Sequence, residues 1–228
     1  MFRTGQALVE ANLKDDWNRM RFSIIERLTE SFHQNPYCFF TESDIHSVLY
    51  NITKEELQQN EAIYEKTIDG HRVSLVHHEY PTPFRCDMKG YGFEIKNEKP
   101  YKRGHYDLVV LNPEFVKNNA LQVVFAKNYQ RFSSAMQEVR VEPLIWACEV
   151  IFFPWVEKLP TNACKIIEQD GLKVRETLKW KVGRNQSFCM TGSVLVFTSH
   201  AAKEVLDLKQ TVTDFGDKQK LEAIFIMR

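Results

Sequence analysis

The sequence has no surplus of either charge: 30 Lys and Arg balance 30 Asp and Glu across 228 residues. That excludes a protein held on nucleic acid by bulk positive charge and leaves only a local basic groove as an electrostatic footprint. There is no apolar run of the roughly 18 or more residues that a membrane-crossing helix needs. Met1–Glu10 carries a single Arg and no leader-length apolar segment, so neither insertion nor secretion is expected, and the expected compartment is the cytoplasm. Cys38, Cys86, Cys148, Cys164 and Cys189 are odd in number and contain no C-x-x-C pair, which argues for reduced, mostly buried thiols rather than a disulfide framework or zinc site. Repeats, low-complexity tracts and linkers are absent. What remains is an ordinary globular composition, 43% hydrophobic and 12% aromatic. A chain of this length buries roughly 70% of its unfolded surface without staples.

Periodicity orders the chain. Trp17, Met20, Ile24, Leu28 and Phe32 recur at helical spacing within Asp15–Phe32. Thr41-Glu42-Ser43-Asp44 has the form of a capping box, with Ile45, Val48, Leu49 and Ile52 continuing one helical face. Lys54–Lys66 reads as a further short, exposed helix. Asp69-Gly70 signals a turn, followed by a strand that is expected to end before Pro81. Pro81–Lys102 reads as a long loop or weak hairpin. Tyr106–Leu111 is an apolar strand stopped by Asn112-Pro113, and Leu144–Phe153 is an interior strand closed by Pro154. Leu121–Phe125 fits a short strand or helix start, and Asn128–Glu138 a helix. A helix is expected from Pro160 to about Val182, with Gly171 as its weak point, and strands at Ser193–Thr198 and Glu222–Met227 flank a helix at Ala201–Leu208. The order predicts a single α/β domain over residues 1–228, with N-terminal helices at about 14–66 and a core at about 71–228.

Two of these apolar strands contain a carboxylate, Asp107 in one and Glu149 in the other. A buried, unpaired carboxylate costs several kcal/mol or shifts its pKa, so something must hold each of them. Arg103 is a candidate partner for Asp107 by sequence proximity, whereas Glu149, between Ala147-Cys148 and Val150–Phe153, has no evident structural reason to be there. Residues two apart on a strand share a face, so His77 pairs with Glu79 and His105 with Asp107. With Glu149 they would form an oxygen-rich cluster suited to Mg²⁺, while His77, Glu79, His105 and Asp107 alone would suit a transition metal.

Read together, Thr41-Glu42-Ser43-Asp44-Ile45-His46, Val76-His77-His78-Glu79-Tyr80-Pro81, Gly104-His105-Tyr106-Asp107-Leu108-Val109-Val110-Leu111 and Trp146-Ala147-Cys148-Glu149-Val150-Ile151 resemble the PD-(D/E)XK nuclease superfamily. The resemblance runs from about Thr41 to Thr198. It implies a restriction-endonuclease-like mixed sheet with helices on both faces, an N-terminal helical segment, and Mg²⁺ or Mn²⁺ coordinated for phosphodiester hydrolysis. Under it Glu42 matches the helix acid, Asp107 the strand aspartate, Glu149 the acid of the E-x-K element, and Glu79 an acid found on the preceding strand in some branches. Ile166–Leu172 resembles the start of the helix after that element. The family lysine belongs two residues after Glu149, where this chain has Ile151. Lys165 on the following helix, or Lys158 before it, is then expected to take its task of orienting and deprotonating water. Asp87 with Glu94-Ile95-Lys96 spells the motif literally, but on a Pro- and Gly-rich stretch poorly suited to fixing a metal. The expected partner is nucleic acid, DNA ahead of RNA, with no membrane and with room for a homo-oligomer. A non-catalytic nucleic-acid or protein binding module of the same fold is the alternative that Ile151 favours, and the His/carboxylate transition-metal enzyme is another.

Overall fold

The structure, a computed structural model, describes residues 4–60, 64–66, 70–88, 93–96, 98, 100–126, 128–183, 185–219 and 221–228. Asp69, and with it half of the expected Asp69-Gly70 turn, lies outside them. The chain begins with two helices, α1 (Thr4–Gln34) and α2 (Glu42–Gln59). A small hairpin, β1 (Tyr64–Lys66) with β2 (Arg72–Ser74), precedes β3 (Val76–Asp87), β4 (Glu94–Ile95) and β5 (Lys102–Leu111). Short helices α3 (Pro113–Asn118), α4 (Leu121–Val124) and α5 (Tyr129–Ala135) lead to β6 (Leu144–Phe153). Then come α6 (Ala163–Lys179), the hairpin β7 (Lys181–Val182) and β8 (Gln186–Ser187), β9 (Cys189–Thr198), α7 (Leu206–Gln219) and β10 (Glu222–Met227). Six strands form one mixed sheet in the order β10-β9-β6-β5-β3-β4. β3, β5 and β6 are antiparallel neighbours, and β6, β9 and β10 run parallel through the helical crossovers α6 and α7. No described helix is long and apolar enough to cross a membrane.

All ten residues of β6 are buried, as expected of a strand covered on both faces. Alternate residues enter different cores. Val150 and Phe152, with Leu195 and Phe197 of β9, pack against Trp17, Ile24, Leu28 and Phe32 of α1 and Ile45 and Leu49 of α2. Ile151 and Phe153, with Val194 and Val196, pack against Ala163, Ile167 and Val174 of α6 and Leu208, Val212 and Phe215 of α7. The α1 stripe is therefore the one predicted from Asp15–Phe32. α1 is also tied to the far edge of the sheet by a buried polar chain. Arg21 Nη1 donates to Glu222 Oε2 at 2.6 Å, Ser193 Oγ donates to the same carboxylate, and Trp146 Nε1 donates to Ser193 Oγ at 2.9 Å.

Several expected boundaries move, each for a packing reason. The segment Lys54–Lys66 is not a separate helix. α2 runs on to Gln59 because Leu57 is buried and Glu56 accepts hydrogen bonds from Ser23 and Arg27 of α1. β3 passes through Pro81 instead of ending there, and the segment expected as a loop begins as strand. Among the described residues β4 meets β3 only at Cys86 and Asp87, which leaves most of that side of β3 without a neighbouring strand, where a missing N–H costs no ladder bond. The register shifts between Pro81 and Arg85, and the irregular carbonyls there are met by Arg103, which donates to Pro81 O, Thr82 O and Ala126 O while lying over the rings of Tyr129 and Phe132. Of the two readings of Leu121–Phe125, the helical one forms, over Leu121–Val124. The last helix is α7, starting at Leu206 rather than Ala201, because Leu208, Val212 and Phe215 supply its buried stripe.

Gly192 of β9 lets α6 lie close to the sheet, since a Cβ there would stand 2.4 Å from Cγ1 of Val174, a stiff branched side chain. Relief from glycine's conformational entropy is worth under ~1 kcal/mol, and the overlap should outweigh it. Gly192→Ala is therefore expected to lower stability by about 1–3 kcal/mol, read as a fall in the denaturant midpoint at constant slope. An unchanged midpoint would mean that α6 shifts freely on the sheet.

Candidate active site

Four elements deliver charged side chains to one place beside β5 and β6. The first turn of α2 supplies Glu42 and, one turn later on the same face, His46. The helix begins where it does because Asp44 Oδ2 accepts from the backbone N–H groups of Phe40 and Thr41, both at 2.8 Å, the reciprocal half of the predicted capping box. These hydrogen bonds hold the Asp44 carboxyl below its ordinary range. Asp107 comes from β5, and the register Leu108↔Cys148 sets Glu149 of β6 across the ladder from it. Lys173 and Asp170 come from α6.

Asp107 Oδ2 accepts from the Val150 N–H at 2.7 Å and lies 3.6 Å from His46 Nε2, which is itself 3.9 Å from Glu42 Oε1. Glu42 Oε2 accepts from the Phe152 N–H at 3.3 Å, tying α2 to the end of β6. Among the described residues, Glu42, His46 and Asp107 are the one group of three or more such ligands whose donor atoms all lie within 4.8 Å of one another. On the other side Lys173 Nζ sits 2.7 Å from Glu149 Oε2 and 3.4 Å from Asp170 Oδ1, and donates to His105 O at 2.9 Å. Glu149 is 2% exposed, and its second oxygen, Oε1, has no hydrogen-bond partner among the described residues; nor has His46 Nε2, whose neighbours stand beyond hydrogen-bond length.

The electrostatics follow from this crowding. Burial, and then the nearby charge of Asp107, pushes the Glu42 carboxyl up. Burial likewise raises Asp170, against the opposing pull of Lys173. Burial works to raise Asp107 too, but contact with His46 and the Val150 N–H prevails and leaves it lowered. His46 is drawn down by burial and up by Asp107 and Glu42, with a net rise. Lys173 loses some affinity for its proton to burial and gains more from Glu149 and Asp170, so it stays charged. Four carboxylates share one ammonium and one imidazole, and protons are retained where a further cation would displace them.

The residues predicted from sequence are distributed as follows. Glu42, Asp107 and Glu149 converge, although the tight ligand group contains His46 rather than Glu149. Glu79 lies near enough to raise the pKa of His46 and stands in the left-handed region at φ 52, an unusual strain for a non-glycine strand residue. Lys165 is exposed near the start of α6, eight residues or about 12 Å along the axis from Lys173, and Lys158 is exposed in the turn after β6. The lysine beside Glu149 is Lys173, in place of the expected Lys165. Ile151 is packed in the α6 and α7 core. The tetrad His77, Glu79, His105 and Asp107 does not assemble: His77 Nε2 is engaged by Ser74 O at 2.6 Å, and His105 contributes its carbonyl to Lys173. Arg103 is not the partner of Asp107, being spent on the Pro81 and Thr82 carbonyls of β3 and on Ala126 O. Asp87 and Glu94 oppose each other at the sheet edge, with Lys96 paired to Glu94. The chain matches no protein-family model, no curated protein and no solved structure.

Lys173→Met strands Glu149 in a dry site and is expected to cost about 3–5 kcal/mol, whereas replacing both partners by apolar groups of similar size is much less costly. The double variant Lys173→Met with Glu149→Leu should therefore recover most of that loss in chemical unfolding, giving a large coupling energy. Additive losses would show that the two groups are not interacting.

Proposed function

We propose that the protein is a metal-dependent phosphodiesterase acting on nucleic acid, of restriction-endonuclease-like fold. The observation that carries this reading is the convergence of Glu42, His46, Asp107, Glu149 and Lys173 at neighbouring edges of β5 and β6. Glu42, Asp107 and Glu149, the acids that the resemblance assigns as metal ligands, come from neighbouring elements, and a lysine stands against Glu149 although position 151 does not supply one.

The residues fit a hard divalent cation. Glu42 and Asp107 offer carboxylate oxygens, Glu149 an oxygen without a hydrogen-bond partner, and His46 an imidazole nitrogen without one. An oxygen-rich set suits Mg²⁺, and the added nitrogen favours Mn²⁺. Such an ion, when bound, activates water and offsets charge growing on the phosphate. The protein's own contribution is to fix these ligands on rigid elements. The Val150 and Phe152 N–H groups orient Asp107 and Glu42. Lys173, anchored by His105 O and held charged, can donate to the attacking water or to a phosphate oxygen. The charge that position 151 does not supply comes from α6, which supports the catalytic reading over the non-catalytic module.

Mn²⁺ is expected to raise the melting temperature of the wild type through binding to the folded state alone, and Asp107→Ala to abolish that rise. Metal-dependent cleavage of DNA and RNA should be lost in Asp107→Ala and Glu149→Ala and fall about 10²–10⁴-fold in Lys173→Ala, with Lys165→Ala close to wild type. Cleavage surviving Asp107→Ala would reject the centre. Binding without cleavage in every form would leave a binding module.

A further inference from the structure

An aromatic surface borders this centre. Tyr37, Phe40 and Trp155 are each half-exposed or more, an unusual concentration of large rings left in water. Tyr37 and Trp155 meet edge to face with centroids 5.8 Å apart, which brings the turn before α2 against the turn after β6. The Arg228 guanidinium lies 5.4 Å over the Tyr37 ring and donates to its hydroxyl. Trp155 is positioned by its backbone N–H, which donates to the buried Ser199 Oγ at 2.9 Å. The surface adjoins the centre along the chain. Phe40 lies two residues before Glu42 and Trp155 three after Phe152, whose N–H holds Glu42. At the reach of an extended chain, the backbone of Phe40 lies within about 7 Å of that of Glu42 and the backbone of Trp155 within about 10 Å of that of Phe152, a span of a few nucleotides.

We propose that Tyr37, Phe40 and Trp155, with Arg228 beside them, form a stacking ledge for unpaired bases of a single-stranded nucleic acid whose backbone continues into the Glu42 and Asp107 cluster. The proposal rests on the phosphodiesterase reading and names its substrate class. The ledge offers flat π-faces and one planar cation, the chemistry that receives bases without regard to sequence and offsets a passing phosphate. In a duplex the base faces are covered by their neighbours, so only an unpaired strand presents them to a ring. The rings flank the centre at one end of β6, which places the bound bases on one side of the scissile phosphate. The neutral net charge is consistent with a protein that gains affinity from stacking as well as from phosphate contacts.

The test is fluorescence anisotropy with labelled oligo(dT) and oligo(rU) of about twelve nucleotides, and a blunt duplex of the same length, in Ca²⁺. Trp155→Ala and Tyr37→Ala should each weaken single-strand binding about tenfold or more, with duplex binding unchanged, and Trp155→Phe should hold within about threefold. Phe22→Ala, an equally exposed ring on α1, is the control for a generic loss of surface, and the melting temperature of each variant confirms folding. Single-strand affinity untouched by the alanine changes, or lost equally for duplex, overturns the ledge. Cleavage in Mn²⁺ separates the two claims. Ledge-dependent binding by a wild type that never cuts removes the phosphodiesterase reading and leaves the ledge. A wild type that cuts, with alanine variants that bind and cut single strands equally well, removes the ledge and leaves the centre.

Discussion

The Lys173 to Glu149 pair is the constraint on which the rest of the site depends. A carboxylate on a strand buried along its whole length, pushed up by that burial, is tolerated only with a partner, and the partner comes from the layer packed on that face. α6 must therefore lie at a fixed height and rotation on β6, which Gly192 permits by admitting Val174. Once α6 is fixed, Asp170 and Lys173 face β5 as well, and the charge balance around Asp107 follows.

The alternation of β6 explains the position of the lysine. Glu149 and Ile151 share the face under α6, but Glu149 meets the polar side of that helix while Ile151 meets Ala163, Ile167 and Val174 in the core. An ammonium at 151 would be buried among apolar groups beside the second core. On α6 it approaches the same carboxylate from above, with a carbonyl and a second acid to hold it.

The carboxylates were legible in the sequence because an acid in an apolar strand is conspicuous, and β6 and β10 were legible to the residue for the same reason of composition. His46 carried a usable signal, four residues after Glu42 and hence on its face of the helix. Lys173 carried a fainter one: an Asp-x-x-Lys step at 170–173 whose lysine directly precedes the buried Val174, in a helix where Lys165 and Lys179 look equivalent by composition alone. What was not legible was three-dimensional. Pro81 reads as a strand terminator until the near-edge position of β3 and the capture of its carbonyls by Arg103 are known. The pairing expected of His77 with Glu79 fails because Glu79 leaves the extended region altogether.

Glu149 also acts before the native state exists. β6 waits for a partner, β9, that lies beyond α6 in the chain, and such non-local parallel pairing is slow to form. Until then Leu144–Phe153 is a proline-free, β-prone segment whose single charge is Glu149. In the unfolded chain that charge is solvated and repels identical segments on other copies, which makes it a gatekeeper against self-association. The same carboxylate that is costly to bury in the finished fold is thus the one charge that breaks an apolar strand while the fold is incomplete.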